Sequence, residues 1–149
     1  MTVEPLMDAP HIPSVFDRFE TPAASKLLGW TLLSIDPPAG TIEIGFTADE
    51  RFGNPQGFVQ GGIIGAMLDD THGPALFAHV DGAVFPVTVD YHVSFIKAAR
   101  FGSFIGKGRL VSMGKTIAFT EAELYDEAGD LVARGTFTSR LVASLPKEV

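Results

Sequence analysis

The chain has 149 residues, no cysteine, and 11 Lys plus Arg against 18 Asp plus Glu, a formal charge of −7. One domain of this length buries roughly two-thirds of its unfolded surface, so it needs no disulfide framework or structural metal, and thiolate zinc sites and cysteine nucleophiles are excluded. Hydrophobic residues at 46% against 19% charged exclude a disordered chain, and the acidic balance argues against a generic nucleic-acid binder.

The first twenty residues carry acids and prolines where a secretory signal has a basic start and an apolar stretch, and no run of 18 apolar residues occurs. A cytoplasmic single domain over 1–149 is expected, with no membrane span. Residues 1–13, with Pro5, Pro10 and Pro13, read as an extended arm. Ser14 is placed to cap a helix reaching Leu28, with Phe16, Phe19, Ala23, Leu27 and Leu28 on one face and Pro22 interrupting it. Two short strands follow, Trp30 to Ile35 and Thr41 to Phe46, joined by a Pro37-Pro38-Ala39-Gly40 turn.

From Gly61 to about Val80 the sequence is apolar nearly all round a helix, which predicts a buried one. Pro74 predicts a kink between Asp70 and Gly73. The period then changes to two. Val87, Val89, Tyr91, Val93 and Phe95 are expected on one strand face, with Thr88, Asp90, His92 and Ser94 on the other. Further strands are expected at Ser103 to Ser112, Lys115 to Tyr125 and Leu131 to Val142, long enough for a sheet that curls around something. One buried helix with a run of antiparallel strands is α+β.

Three features coincide around this helix. Asn54 lies in the preceding loop, Gly61-Gly62 opens the helix, and Asp69-Asp70 sit in its middle. The first N–H groups of a helix lack internal partners, so a glycine there offers donors to a developing oxyanion. Burying two carboxylates costs free energy and raises their pKa towards a general base's range, so at least one of the acids is expected to be used. His72, Asp90 and His92 match no specific metal motif, and no metal is expected. Asp69 lies eight residues, about 12 Å along the axis, beyond Gly61. Reacting atoms must meet within about 3–3.5 Å, so if both serve one reaction the Asp comes from another subunit of a two-fold dimer.

Asn54-Pro-Gln-Gly-Phe-Val-Gln-Gly-Gly, Leu68-Asp-Asp-Thr-His-Gly-Pro-Ala75 and Val87-Thr-Val-Asp-Tyr-His-Val-Ser-Phe-Ile-Lys-Ala-Ala resemble the hot-dog-fold acyl-CoA thioesterases of the PaaI-like type. Gly114 to Thr120 and Leu131 to Gly135 are similar to that family's last two strands. The resemblance runs from about residue 25 to 142. It implies a long central helix wrapped by a curved antiparallel sheet, a homodimer as minimal unit, a homotetramer as full assembly, and an acyl-CoA substrate whose CoA moiety makes a separate cofactor unnecessary.

By position, the resemblance implies that Gly61 polarises the thioester carbonyl, Asn54 orients substrate or water, Asp69 is general base or nucleophile, and Thr88 positions the water. Gln60 stands where many members have His. It can hydrogen-bond but not titrate near neutral pH, so with Gly62 it is assigned to substrate binding. Lys97, Arg100, Lys107, Arg109 and Lys115 form a run without an acid, leaving −12 elsewhere. Of these, Lys97, Arg100 and Lys115 are candidates to meet the CoA phosphates. Phe52, Phe58, Met67, Phe77, Phe85 and Phe95 are candidates to line an acyl pocket. The competing reading is a non-catalytic hot-dog protein that binds acyl-CoA or an apolar carboxylate.

Overall fold

The computed structural model describes residues 9–143, so residues 1–8 of the expected arm lie outside the described residues. Ser14 caps as expected: its hydroxyl accepts from the Phe16 N–H, and the Asp17 carboxylate accepts from the Ser14 N–H. The single helix expected over 14–28 splits in two. A one-turn 3-10 helix, Val15–Arg18, precedes α1, Ala23–Leu27, because Pro22 has no N–H to donate and becomes the N-cap residue of α1.

Among the described residues six strands follow the expected order: β1 (Thr31–Asp36), β2 (Thr41–Ala48), then β3 (Val84–Phe95), β4 (Gly102–Met113), β5 (Ile117–Tyr125) and β6 (Leu131–Ala143). They form one antiparallel sheet in the order β1-β2-β4-β5-β6-β3. Gly40, at φ +70°, closes the β1–β2 turn by donating to the Pro37 carbonyl. The second helix, α2 (Gly61–His79), crosses from β2 to β3 and fills the curved sheet.

α2 is buried over most of its surface, but not all round as its composition predicts: Ile64, Met67, Leu68 and Ala75 pack with Ile44, Phe46, Phe104, Leu124 and Phe137 of the sheet, whereas Gly62, Ala66, Asp69 and Gly73 form a stripe that is exposed or half-buried. It lies closest to β4, where Gly106 and Gly108 face Thr71 and a Cβ at either would press on it. Pro74 cannot donate to the Asp70 carbonyl, yet the helix runs unbroken to His79. The Trp30 indole N–H bonds that carbonyl instead, at 3.1 Å. Among the described residues no helix is long and apolar enough to cross a membrane.

The expected alternation of β3 is corrected by a bulge. The register with β6 shifts between Thr88 and Asp90, leaving Val89 as the extra residue. Thr88 before the bulge and Tyr91 and Phe95 after it all meet α2. A regular strand puts residues three apart on opposite faces, so the bulge is what aims Thr88 at the helix. A second bulge, at Val111, interrupts the β4–β5 pairing.

Candidate active site

Asp69 and Thr88 meet where α2 crosses the bulge of β3. The Thr88 hydroxyl donates to Asp69 Oδ1 at 2.8 Å, and His72 Nε2 lies 2.9 Å from the same oxygen and 3.0 Å from Thr88 Oγ1. His72 Nδ1 lies 2.8 Å from the hydroxyl of Thr120 on β5. The Asp69 side chain is 48% exposed whereas that of His72 is buried, so the carboxylate faces outward from a polar anchor inside the core. The His72 bond, ahead of that from Thr88, holds the Asp69 carboxyl below its usual range against the opposing effect of burial. The expectation that burial raises the carboxyls therefore fails at Asp69.

It succeeds at Asp70. Burial pushes this carboxyl up to about 6, with Asp69 adding repulsion and Ser25 opposing by hydrogen bonding. Among the described residues Asp70 Oδ2 is buried without a hydrogen-bond partner. Both acids and Thr88 line a cavity of about 370 Å3 between α2, the N-terminal segment and the start of β3. Its walls are otherwise largely apolar, with Phe16, Phe19, Trp30, Phe77, Phe85 and Pro86. Of the aromatic candidates from the sequence only Phe77 and Phe85 line it; Met67 is fully buried in the core, and Phe95 lies on Gly61.

Gly61 is the first residue of α2 and Gln60 its N-cap residue, whose side chain makes no capping bond. The N–H groups of Gly61 and Gly62 thus stand at the positive end of the helix. A Cβ on Gly61 would touch the Phe95 ring at 3.4 Å, and one on Gly62 would meet nothing within 4 Å among the described residues. Asn54 accepts from the N–H groups of Gln56 and Phe58 through its side-chain oxygen, which shapes the loop leading to the helix. The eight-residue separation of Gly61 and Asp69 in an unbroken helix keeps them about 12 Å apart in one chain.

The three cations are not brought together. Lys97 Nζ is bound by Asp126 at 2.9 Å and Asp130 at 2.6 Å, in the β5–β6 turn. Arg100 is exposed and follows Ala99, whose carbonyl accepts from Val59 just before α2. Lys115 is exposed between β4 and β5, at the end of the sheet where β3 begins, opposite Lys97 and Arg100.

His72 and Thr120 were not among the site residues read from the sequence. The spacing of Asp69 and His72, three apart on a helix, was a signal that they share a face. Thr120 gave none, because only the fold brings it to His72 from 48 residues away.

The family model of the Thioesterase superfamily matches residues 56–133. The phenylacetic acid degradation-related protein of Ralstonia eutropha JMP134 is 32% identical, with a TM-score of 0.79 over 85% of this chain and 95% of that one. Two more distant structures share the fold. A Streptococcus mutans UA159 protein bound to acetyl CoA is 21% identical, with a TM-score of 0.70 over 77% of this chain and 90% of that one. The Escherichia coli PaaI protein of the phenylacetic acid degradation operon is 18% identical, with a TM-score of 0.75 over 83% of this chain and 86% of that one. With the superfamily match over more than half its length, the close relative and the helix held in a curved sheet, this chain belongs to the thioesterase superfamily, as a hot-dog-fold thioester hydrolase of the PaaI-like type.

Proposed function

We propose that the protein hydrolyses an acyl-CoA thioester to the free acid and CoA, as a cytoplasmic homodimer with active sites shared between subunits and a homotetramer as its full assembly. The observation that carries this reading is the position of Asp69 at an apolar cavity, anchored through one oxygen, with helix N–H donors too distant in the same chain. The acyl group occupies the cavity, whose size is that of a small-molecule site. The carbonyl oxygen docks on the Gly61 N–H of one subunit, where fixed donors stabilise the charge that develops. Asp69 of the other subunit takes a proton from water, which attacks the carbonyl, and the intermediate expels the CoA thiolate. Asn54, Gln60 and Gly62 border the docking point, Thr88 holds the base, and Arg100 and Lys115 meet the CoA phosphates. Lys97, assigned with them from the sequence, has its charge engaged by two carboxylates.

The free edge of β3 supports the shared site. Among the described residues this twelve-residue strand pairs only with β6, and its apolar Val89, Tyr91 and Phe95 are exposed. Gly61 stands at Phe95, Gly65 at Tyr91 and Asp69 at Thr88. An antiparallel pairing of two β3 edges about a two-fold axis near Tyr91 and His92 puts Phe95 of one subunit across from Thr88 of its mate. Gly61 then approaches the other subunit's Asp69. The same axis sets the Lys115 end of one sheet beside the Arg100 end of the other. Exposed Val111, Met113 and Phe119 supply apolar surface for pairing dimers.

Subunit complementation tests this. Gly61→Pro removes the N–H at a position where proline suits a helix, and Gln60 already has the extended ψ of 134° that a following proline demands. Gly61→Pro and Asp69→Asn should each lower kcat on an acyl-CoA panel by about 100-fold or more. Mixed after dissociation and reassociation, they should regain activity, because half of the hybrid's sites are intact. No recovery in verified hybrids places both groups in one chain; stabilisation by CoA esters without wild-type turnover supports the binding protein.

A further inference from the structure

Asp69 is the exposed end of a hydrogen-bonded chain whose inner members are buried. His72 and Thr120 are both almost wholly shielded from solvent. The His72 ring stacks on Phe137, with centroids 3.9 Å apart and planes within 17°. An ionised carboxylate can only accept, so the hydrogen between Asp69 Oδ1 and His72 Nε2 resides on the nitrogen. In a neutral ring Nδ1 is then an acceptor, and the Thr120 hydroxyl donates to it. The Asp69 carboxylate thereby fixes the tautomer, Thr120 satisfies Nδ1 and holds the ring from its inner side, Phe137 sets the ring plane, and the i, i+3 helical spacing sets the reach.

A carboxylate torsion is broad and two-fold, so an unheld Asp at a helix surface samples many orientations. Here Oδ1 takes both His72 and Thr88, which leaves the second oxygen to face outward. His72 is too buried to touch substrate and acts only through Asp69.

We propose that His72, set by Thr120, is a positioning residue that fixes the Asp69 carboxylate with its second oxygen presented to the substrate. This rests on Asp69 being the acting acid. The same hydrogen bond favours the ionised carboxylate, so its loss raises the pH at which Asp69 titrates. The titratable groups near Asp69 are His72 and Asp70 on its own helix and Glu20 on the cavity wall. The strands packed on the ring present Thr88, Thr120 and Phe137, none of which changes charge near neutral pH.

Three variants test this, each checked for native fold by circular dichroism: His72→Leu, His72→Gln and Thr120→Val. Asp69 is followed by carbon-13 carboxyl NMR titration, and turnover is measured on an acyl-CoA panel. His72→Leu should move the Asp69 midpoint upward and lower kcat about 100-fold with KM little changed, the penalty of a misplaced reacting group. Thr120→Val, nearly the same shape without the donor, should move both the same way by a smaller amount, about 10-fold in kcat. His72→Gln, which can still donate to Asp69, should recover most of both. An unchanged midpoint in folded His72→Leu, or a folded His72→Gln as impaired as His72→Leu, overturns the proposal. If His72→Leu does not fold, Thr120→Val decides by the same midpoint. The titration needs no substrate, so it decides the role of His72 even if the wild type turns over no acyl-CoA, which would sink the proposed function instead.

Discussion

The Trp30 indole N–H caps the carbonyl of Asp70, the one helix carbonyl that Pro74 leaves without its usual donor. This bond ties β1's lead-in to the middle of α2 beside the cavity, where Trp30 and Asp70 are both in the wall. Trp30→Phe keeps an aromatic ring against Phe16 but removes the donor. An unpaired, partly buried carbonyl costs about 1–3 kcal/mol. Urea unfolding should show a loss of that size, and faster amide exchange in the Asp70–Pro74 turn. No change in either measurement means that the helix satisfies this carbonyl in another way.

The bounds of α2 and the order of the strands were legible because each rests on local composition: an all-round apolar run for the helix and a two-residue period for the strands. The bulge at Val89 was not, because it is a mismatch between two strands that neither sequence displays alone. Its effect on the site is large. Regular alternation puts Thr88 on the face opposite Tyr91 and Phe95, away from Asp69. The position of Thr88 in the site came from the family resemblance, and the bulge supplies the physical reason it can face the helix. Likewise Asp69 and Asp70 looked equivalent as two acids in an apolar helix. Their different environments come from His72 and Thr88 on one side and an apolar wall on the other, which only the folded chain provides.

That difference predicts the pH dependence of turnover. The base acts as its carboxylate, so kcat/KM falls as pH drops through the folded-state pKa of whichever acid serves. Asp69 is held below the ordinary 3.8 by His72 and then Thr88, so kcat/KM should stay level on its acid side through pH 5. Asp70 in that role would give a decline centred near 6. A profile on a slow acyl-CoA, with the fold checked at each pH, separates the two. An acid limb near 6 that vanishes in Asp70→Asn reverses the assignment.

Asp70 should also make stability pH-dependent. The unfolded chain ionises it near 3.8 and the folded protein near 6. Its neutral form is the one the fold accommodates, so the associated stability is fully present below about pH 4 and is lost as pH rises to 6. The shift corresponds to about 3 kcal/mol above that range. Asp70→Asn should therefore unfold at a higher temperature than wild type at pH 8, and at nearly the same temperature at pH 4. Equal differences at the two pH values would show that Asp70 titrates normally.

Phe95 offers the most direct probe of the subunit arrangement. Its ring covers Gly61 at the start of α2, yet 58% of the residue is exposed in the isolated chain. Pairing of the two β3 edges about the proposed axis buries that surface and sets each Phe95 beside the partner subunit's Asp69. Phe95→Asp then places like charges together across the interface, a repulsion that a partly desolvated site strengthens. Within one chain the substitution costs little, because the side chain already stands largely in water. Sedimentation velocity should show a folded monomer at concentrations where the proposed dimer of the wild type sediments intact, and acyl-CoA turnover should be lost with it. Phe95→Leu, which keeps an apolar cover without the charge, should remain dimeric and active. If Phe95→Asp stays dimeric and retains wild-type kcat, the subunits do not meet along β3 in this register, and Gly61 and Asp69 are not joined by that axis.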